Sequence, residues 1–314
     1  MHALATLPRD LHRRILEKRD RLVKSRLSSD VIRDLEERMQ VEFVYNSNSI
    51  EGVTLSRGET ELAIRGITVH GKSIADVLAA QNHTPAIGLV KELALGNKKL
   101  AEQDILDIHR AIMSGIISTA GEYRRHDVRI VGASFMPPPP YQIQEEMKQL
   151  VEFINENTAE LRPVELAAHA HYYLAWIHPF DDGNGRMARL LMNLILLRNR
   201  YPFAVIKKVD RKKYLDALDA VSGRGDFEPF LIYIARCVEQ TLDLYLNVIE
   251  RGRTKEKLRT LPELAKGTPY SAEYLSLQAR KGVLDAIKVG RVWMSTKKTI
   301  ETYIKEHGRK SKAG

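Results

Sequence analysis

Apolar residues recur along most of the chain at the three- and four-residue spacing of one helix face. In the N-terminal part they alternate with charged positions, as at Leu11, Ile15 and Leu22, which predicts amphipathic helices. Over 164–177 and 187–197 the pattern changes to nearly continuous apolar runs, which are typical of buried helices. The pattern therefore predicts an all-α fold with these two segments at its centre.

Helical periodicity continues on both sides of the two buried segments. One helix through Ile32 and Phe43 is expected to end near Gly52, since glycine suits the position after a helix end. The further predicted helices are 74–117, broken near 82–85 and 96–97, then 210–220 and, after a turn at 222–226, 229–248.

Two shorter regions depart from this pattern. Alternating residues from Val128 and a glycine at Gly132 predict a short β-hairpin over 128–136, which the four prolines at 137–140 would end. Residues 251–255 are expected to form a polar linker. Beyond it, the pattern predicts a small domain with the order helix, helix, basic hairpin and helix.

Composition and charge limit the class of protein. A chain of 314 residues suggests two or three domains. Its one cysteine, Cys237, excludes an internal disulfide, and no apolar run is long enough to cross a bilayer. Since the N-terminus also lacks an apolar signal core, we expect a soluble cytoplasmic protein with no membrane segment.

The turn between the two buried helices carries the candidate chemistry. From His178 to Arg189 it reads HPFDDGNGRMAR. Gly183 and Gly185 let backbone N–H groups face an anion without a Cβ in the way. The helix that follows adds the positive end of its dipole. These features predict a binding site for phosphate groups.

The charged side chains of the same turn extend this prediction. Asp182 is a hard oxygen ligand suited to Mg²⁺, which takes one or two carboxylates together with substrate phosphates. Arg186 and Arg189 can bind phosphate oxygens in a bidentate manner. His178, at the end of a helix, can take a proton near neutral pH. The turn therefore combines a nucleotide-phosphate site with a base.

This stretch resembles the signature of the Fic family, HPFx[D/E]GNGRxxR, at every specified position. The resemblance, which covers about 41–237, implies a Fic helical core over 76–250 with a small β-hairpin flap. It also implies transfer of AMP from ATP to a hydroxyl on a target protein, with His178 as the catalytic base and Asp182 binding Mg²⁺. The residues it implies for ATP binding are Gly183, Asn184, Gly185, Arg186 and Arg189.

A second motif lies at the predicted helix end near Gly52. Residues Ser47 to Gly52 resemble the inhibitory motif [S/T]xxxE[G/N] found in many Fic proteins. The resemblance implies that Glu51 pairs with Arg189 and blocks productive seating of the ATP γ-phosphate, while Ser47 helps to hold the helix. Residues 1–75 would then form an N-terminal inhibitory region. In some relatives this glutamate also supports removal of AMP, so de-AMPylation stays open as a second activity.

The resemblance leaves the partners partly open. In Fic proteins the flap, here near 128–136, pairs with an extended segment of the target, which would present a Tyr, Ser or Thr hydroxyl. Relatives often place an asparagine near the adenine, where this chain has Val221 and Ser222, so a different nucleotide remains an alternative. Doc-type relatives act as kinases but usually carry lysine where this chain has Gly185. Oligomers are possible.

The C-terminal part holds all of the basic excess. Residues 251–314 contain 16 Lys and Arg against 6 Asp and Glu, a net charge of +10 in a chain whose total is +9. Residues 258–308 resemble a winged helix-turn-helix of the excisionase type, which implies DNA binding. Alternatives are a protein-binding module, and a DNA-binding transcriptional regulator whose Fic domain serves autoregulation. The candidate DNA contacts are Arg280, Lys281, Lys288 and Arg291.

Overall fold

The computed structural model describes residues 4–25, 29–96, 98–130, 135–157, 160–253, 259–281, 283–289 and 292–307. The chain divides into two compact units, 1–246 and 247–314. The first unit contains both the predicted N-terminal region and nearly all of the predicted catalytic core. Within the described residues, no helix combines the length and apolarity needed to span a bilayer.

The described residues of the first unit form helices and two 3₁₀ turns, which confirms the predicted all-α class. The helices that begin in this unit are Arg9–Val23 (α1), Ser29–Ile50 (α2), Arg57–Ile64 (α3), Ile74–Gln81 (α4), His83–Leu95 (α5), Glu102–Met113 (α6), Ile143–Glu156 (α7), Pro163–Ile177 (α8), Asn184–Arg198 (α9), Arg211–Arg224 (α10) and Glu228–Arg253 (α11). The 3₁₀ turns are Pro140–Gln142 and Lys208–Asp210.

Helices α8 and α9 lie at the centre of the first unit. Every residue of α9 from Arg186 to Leu196 is buried, including Arg186, Arg189 and Asn193. Helices α2, α5 and α6 pack on α9, and α7 packs on α8. Polar side chains on α9 must therefore find hydrogen-bond partners inside the protein.

Two left-handed residues delimit the turn between α8 and α9. His178 follows α8 with a φ of 50°, and Gly183 precedes α9 with a φ of 81°. At the other end of α8, Pro163 occupies its first turn, and Glu165 accepts a hydrogen bond from the Arg162 N–H at 2.8 Å. The helix that presents His178 is thus fixed at both ends.

The end of α2 is tied to the segment before α10. Arg211 Nε donates to the carbonyl of Ile50 at 2.8 Å, and the N–H of Lys208 donates to Asn46 Oδ1 at 2.9 Å. Gly52, with a φ of 95°, follows the helix end, as predicted. Glu51 therefore follows a helix end that is held by hydrogen bonds from Lys208 and Arg211.

Two sequence predictions about helix ends were wrong. The turn expected at 222–226 is shorter, because α10 continues to Arg224 before Gly225 adopts a left-handed φ of 69°. The linker expected at 251–255 begins later, because α11 continues to Arg253. A glycine inside a helix costs only about 1 kcal/mol, so Gly252 does not end it. Residues 254 and 255 lie outside the described residues.

The predicted hairpin over 128–136 falls partly outside the described residues, which omit 131–134. Val128 to Ile130 form no strand with other described residues. The hairpin therefore stays a prediction.

The second unit has two short helices, a small sheet and a closing helix. Its elements are Arg259–Thr260 (β1), Leu261–Ala265 (α12), Ala272–Arg280 (α13), Ile287–Val289 (β2), Val292–Ser295 (β3) and Lys297–His307 (α14). The antiparallel sheet has the order β1-β3-β2, and Val289 pairs with Val292. Leu261, Leu275 and Tyr303 are buried in its core.

Candidate active site

His178 stands at the start of the turn, directly after α8. Its Nδ1 lies 3.2 Å from the carbonyl of Ala175, so an Nδ1–H donated there leaves Nε2 as the proton acceptor. Burial lowers the pKa of His178. The hydrogen bond to Ala175 acts in the opposite direction, as do the carboxylates of Glu51 and Asp182, whereas the Arg124 cation lowers the pKa further. The imidazole is therefore neutral at pH 7 and able to accept a proton.

Asn184 closes the turn through its side chain. Its Oδ1 accepts a hydrogen bond from the Phe180 N–H at 2.9 Å, and its Nδ2 donates to the Phe180 carbonyl at 2.8 Å. The Phe180 ring is fully buried. Because the amide of Asn184 is engaged in this way, a contact between Asn184 and a nucleotide would have to use its backbone N–H.

Gly183 at the end of the turn and Gly185 in the first turn of α9 are both closely approached by neighbouring side chains. A Cβ on Gly183 would lie 2.8 Å from Met113 Sδ, and one on Gly185 would overlap the Glu51 carboxylate as it stands. The absence of a Cβ at Gly185 thus lets the Glu51 carboxylate reach the first turn of α9. The first N–H groups of a helix lack partners within it, and they bind anions readily.

Asp182 and Arg186 form an ion pair across the start of α9. The distance from Arg186 Nη2 to Asp182 Oδ2 is 3.1 Å, and the Asp182 side chain is 58% exposed. The described residues contain no cluster of three or more His, Cys, Asp or Glu side chains at metal-binding distance. Mg²⁺ needs only one or two carboxylates when phosphates supply the remaining oxygens, so the exposed Asp182 carboxylate fits that mode.

Arg189 is the most enclosed charge of the site. Its side chain is 1% exposed, and its Nη2 lies 2.6 Å from Glu51 Oε1. Its Nε donates to Ser47 Oγ, and its Nη2 also donates to the Ser47 carbonyl, both at 2.9 Å. Burial acts to lower the pKa of Arg189, but Glu51 and Tyr214 outweigh it and the net shift is upward. The structure thus brings together the three residues of the predicted inhibitory contact.

One buried histidine that supports the turn was not singled out from the sequence. His109 on α6 accepts a hydrogen bond from the Gly121 N–H at Nδ1, and its Nε2 lies 2.9 Å from the Asp182 carbonyl. Its ring stacks on Phe180 with 3.6 Å between the centroids. Burial lowers the pKa of His109 to about 4. The helical spacing of the apolar residues Ile105 and Ile112 places position 109 near the buried face, so the sequence could have indicated that His109 is buried.

Arg124 also supports the turn and was not singled out from the sequence. Its backbone N–H donates to the Pro179 carbonyl at 2.9 Å. Its Nε donates to the His178 carbonyl at 2.8 Å. Nothing in the local sequence pattern indicated these contacts.

The remaining candidates lie elsewhere. In the second unit, Arg280 and Lys281 are exposed at the end of α13. The Lys288 side chain and the whole of Arg291 lie outside the described residues. Cys237 is buried, and burial raises the pKa of its thiol to about 12, as expected for an inert core cysteine.

Solved structures share this helical arrangement. Fic-1 from C. elegans aligns with 78% of this chain and 73% of its own, at 31% identity and a TM-score of 0.72. A Fic domain containing signaling protein from Bacteroides thetaiotaomicron aligns with 77% of this chain and 97% of its own, at 29% identity and a TM-score of 0.70. The fold is therefore the Fic helical fold.

Residues 99–196, which run from before α6 into α9, match the model of the Fic/DOC family. Together with the C. elegans likeness, this match shows that the chain belongs to the Fic/DOC family. A curated relative from Aedes aegypti, named protein adenylyltransferase Fic, is 36% identical over 89% of this chain and 56% of its own length. A relative of the same name from Nematostella vectensis is 34% identical over 76% and 56%. The chain spans about half the length of the curated relatives it matches.

Proposed function

We propose that the chain is a protein adenylyltransferase, which transfers AMP from ATP to a Tyr, Ser or Thr hydroxyl of a target protein. The observation that carries the proposal is the turn from His178 to Gly183 together with the first turns of α9. A neutral imidazole, an exposed carboxylate, helix N–H groups and two buried arginines meet there. The relatives' name, protein adenylyltransferase, supports the same activity. In this proposal residues 76–250 form the catalytic core.

His178 acts as the base in the proposed reaction. Its Nε2 takes the proton of the acceptor hydroxyl, whose oxygen attacks the α-phosphorus of ATP. A new O–P bond forms, the bond to the bridging oxygen of the β-phosphate breaks, and pyrophosphate leaves. The first N–H groups of α9, Arg186 and Arg189 bind the phosphate oxygens and oppose the charge that develops on them. Asp182 would hold Mg²⁺, which when bound neutralises phosphate charge.

Glu51 restrains this activity in the proposal. Its carboxylate occupies one edge of the Arg189 guanidinium at 2.6 Å, which is where a phosphate oxygen would otherwise bind. Ser47 holds the same guanidinium from the α2 side. Residues 1–75 therefore serve as an inhibitory region, and productive seating of ATP requires Arg189 to exchange the carboxylate for phosphate. The same carboxylate is placed to assist removal of AMP, a second activity that intact-mass analysis of modified target would follow.

The test compares labelled ATP on three proteins. The wild type, Glu51→Gly and Glu51→Gly/His178→Ala are incubated with ATP labelled at the α- or the γ-phosphate. We expect α-label in protein, a larger amount with Glu51→Gly, and loss of the signal when His178 is also replaced. Transfer of γ-label instead would show a kinase and overturn the proposal. Parallel reactions with each nucleoside triphosphate decide whether ATP is the donor.

A second candidate function concerns residues 258–308. We propose that they form a winged helix-turn-helix that binds DNA, on the basis of the net charge of +10 over 251–314 and the order α12, α13, hairpin, α14. The full chain should shift duplex DNA in a gel, with an affinity that falls steeply as salt rises. Arg280→Glu/Lys281→Glu should weaken the shift, whereas Lys212→Glu, an exposed reversal on α10, serves as the control.

A further inference from the structure

Arg124 is a buried cation whose guanidinium contacts only backbone oxygens among the described residues. The residue is 2% exposed. Its Nε donates to the His178 carbonyl at 2.8 Å, Nη1 to the His126 carbonyl at 2.8 Å, and Nη2 to the Pro138 carbonyl at 2.6 Å, with a longer contact of Nη2 to the Ile177 carbonyl at 3.5 Å. Its own N–H donates to the Pro179 carbonyl. One side chain therefore joins the start of the turn to two points of the preceding segment.

The chemistry of arginine explains why this residue type stands here. A buried charge is costly unless hydrogen bonds satisfy it, and the guanidinium presents five donors in a rigid planar fork. A lysine ammonium is a compact charge on a flexible stem and cannot span the same three carbonyls. The positions of His126, Pro138 and His178 relative to one another are therefore set by the shape of one planar group.

The backbone of His178 needs such support. Its φ of 50° is uncommon for a residue other than glycine, and such a conformation persists only where the surroundings hold it. The carbonyls of His178 and Pro179 are both held by Arg124. The backbone conformation decides where the imidazole points, so Arg124 acts on the orientation of the base.

A second contact braces the same region. Thr119 Oγ1 donates to Asp181 Oδ2 at 2.7 Å, and His126 Nε2 lies 3.5 Å from Asp181 Oδ1. Asp181 therefore contacts the segment before the turn, although it is the neighbour of Asp182 in the chain.

We infer that Arg124 is a positioning residue, which holds the His178 imidazole in a fixed relation to the two ends of the segment between His126 and Pro138. This inference rests on the proposed function and extends it: Arg124 ties both ends of the segment that includes the predicted flap to the base, and the His126–Asp181 contact adds to this connection. By holding the His178 carbonyl, Arg124 keeps Nε2 of His178 in place for proton transfer from the acceptor hydroxyl. Misplacement by about 1 Å can reduce a rate by about 10²-fold, so the connection matters for transfer.

The test uses Arg124→Lys and Arg124→Met in the full-length Glu51→Gly protein. The matched control is Arg125→Met, because Arg125 is the next residue, its side chain is 88% exposed and it pairs only with Glu122 in the described structure. Three quantities are measured: label transferred from ATP labelled at the α-phosphate, amide hydrogen exchange at His178 and Phe180, whose N–H groups donate hydrogen bonds, and the pKa of His178 by NMR titration.

We expect both Arg124 variants to lose about 10- to 100-fold of the transfer rate and to exchange the amides of His178 and Phe180 faster. The two variants should differ in the third quantity. Met removes a positive charge that lowers the pKa of His178, so that pKa rises, whereas Lys leaves it nearly unchanged. Loss of transfer with Lys at an unaltered pKa would identify positioning, and not charge, as the cause.

Wild-type transfer and exchange in Arg124→Lys would overturn the inference. If the variants fail to fold, the wild-type protein still decides the matter through its arginine Nε–H signals. We expect the Arg124 Nε–H to be protected from solvent exchange and that of Arg125 to exchange rapidly; equally rapid exchange of both contradicts the inference. Absence of AMP transfer in every protein, with protection of Arg124 intact, would refute the proposed function and leave the connection standing.

Discussion

Replacing Glu51 by glutamine removes the charge that faces Arg189 while keeping the shape of the side chain. Leaving one partner of a buried ion pair unpaired costs about 3–5 kcal/mol. Two features reduce that figure here. The Glu51 side chain is 34% exposed, so water screens the pair, and Ser47 supplies two further acceptors for Arg189. We therefore expect Glu51→Gln to lower the free energy of unfolding of the first unit by about 1–2 kcal/mol.

The same substitution should increase AMP transfer. Under the proposed function, ATP binds in the reactive position only after the Arg189–Glu51 contact is broken. A contact worth about 1–2 kcal/mol corresponds to a factor of about 5–30 in an equilibrium constant. We therefore expect AMP transfer at subsaturating ATP to rise by about 5- to 30-fold. Loss of stability and gain of activity would then share one cause.

The chain offers a convenient probe for the stability measurement. Its two tryptophans, Trp176 on α8 and Trp293 on β3, lie one in each unit. In a Trp293→Phe background, urea unfolding followed by fluorescence reports the first unit through Trp176. Adding MgATP should stabilise Glu51→Gln more than the wild type, because a ligand that binds the folded state better stabilises it more.

The control is Glu61→Gln on α3, which loses surface ion pairs with Arg57 and Arg65. Such pairs contribute at most about 1 kcal/mol each and often nothing measurable. If Glu51→Gln loses stability but its transfer rate stays at the wild-type level, the contact is structural only. If stability does not change, the magnitude argued from burial is refuted.

Three further predictions concern the base, the metal and the buried histidines. His178→Ala should lower the rate of AMP transfer by about 10²–10⁴-fold and preserve stabilisation by MgATP in the urea assay. In the active protein, the transfer rate should decline only when the pH falls below the lowered pKa of His178. A decline that begins at or above pH 6.5 contradicts this. Asp182→Asn should raise the half-saturating Mg²⁺ concentration in the transfer assay; unchanged Mg²⁺ dependence would remove Asp182 as the ligand. The free energy of unfolding should fall as the pH drops below 6.5, because unfolding lets buried neutral histidines take up protons. The loss is up to about 1.4 kcal/mol per pH unit for each histidine. Urea unfolding at several pH values measures it, and a free energy of unfolding that does not change with pH refutes it. These histidines, with their lowered pKa values, are His83 at about 3, His109 at about 4, His169 at about 4 and His171 at about 3.

The candidate site over 178–189 was predictable because its residues are close together in the sequence. Consecutive residues supply the base, the carboxylate and the glycines, and the buried helices on either side are evident from continuous apolar runs. The helix end at Ile50 followed from Gly52 for the same reason. The pairing of Glu51 with Arg189 joins residues 138 positions apart, and it was expected only through the family resemblance.

Contacts that support the turn could not be predicted in this way. Arg124 and His109 act on backbone carbonyls of residues 54 and 73 positions away, and a carbonyl leaves no trace in the residue types. Asn184 appears in the signature as a polar residue, yet its amide closes the turn on Phe180. The pattern gives the residue type, whereas the fold decides whether a side chain faces a ligand or the backbone.

The carboxylate of Glu51 and the guanidinium of Arg189 belong to one compact unit of the same chain. Their local concentration is therefore set by the fold and not by the amount of protein present. Under the proposed function, dilution leaves such self-restraint unchanged, whereas a restraint supplied by a separate polypeptide would dissociate on dilution. Within one molecule, a competing anion or a shift of the α2 end would release the contact.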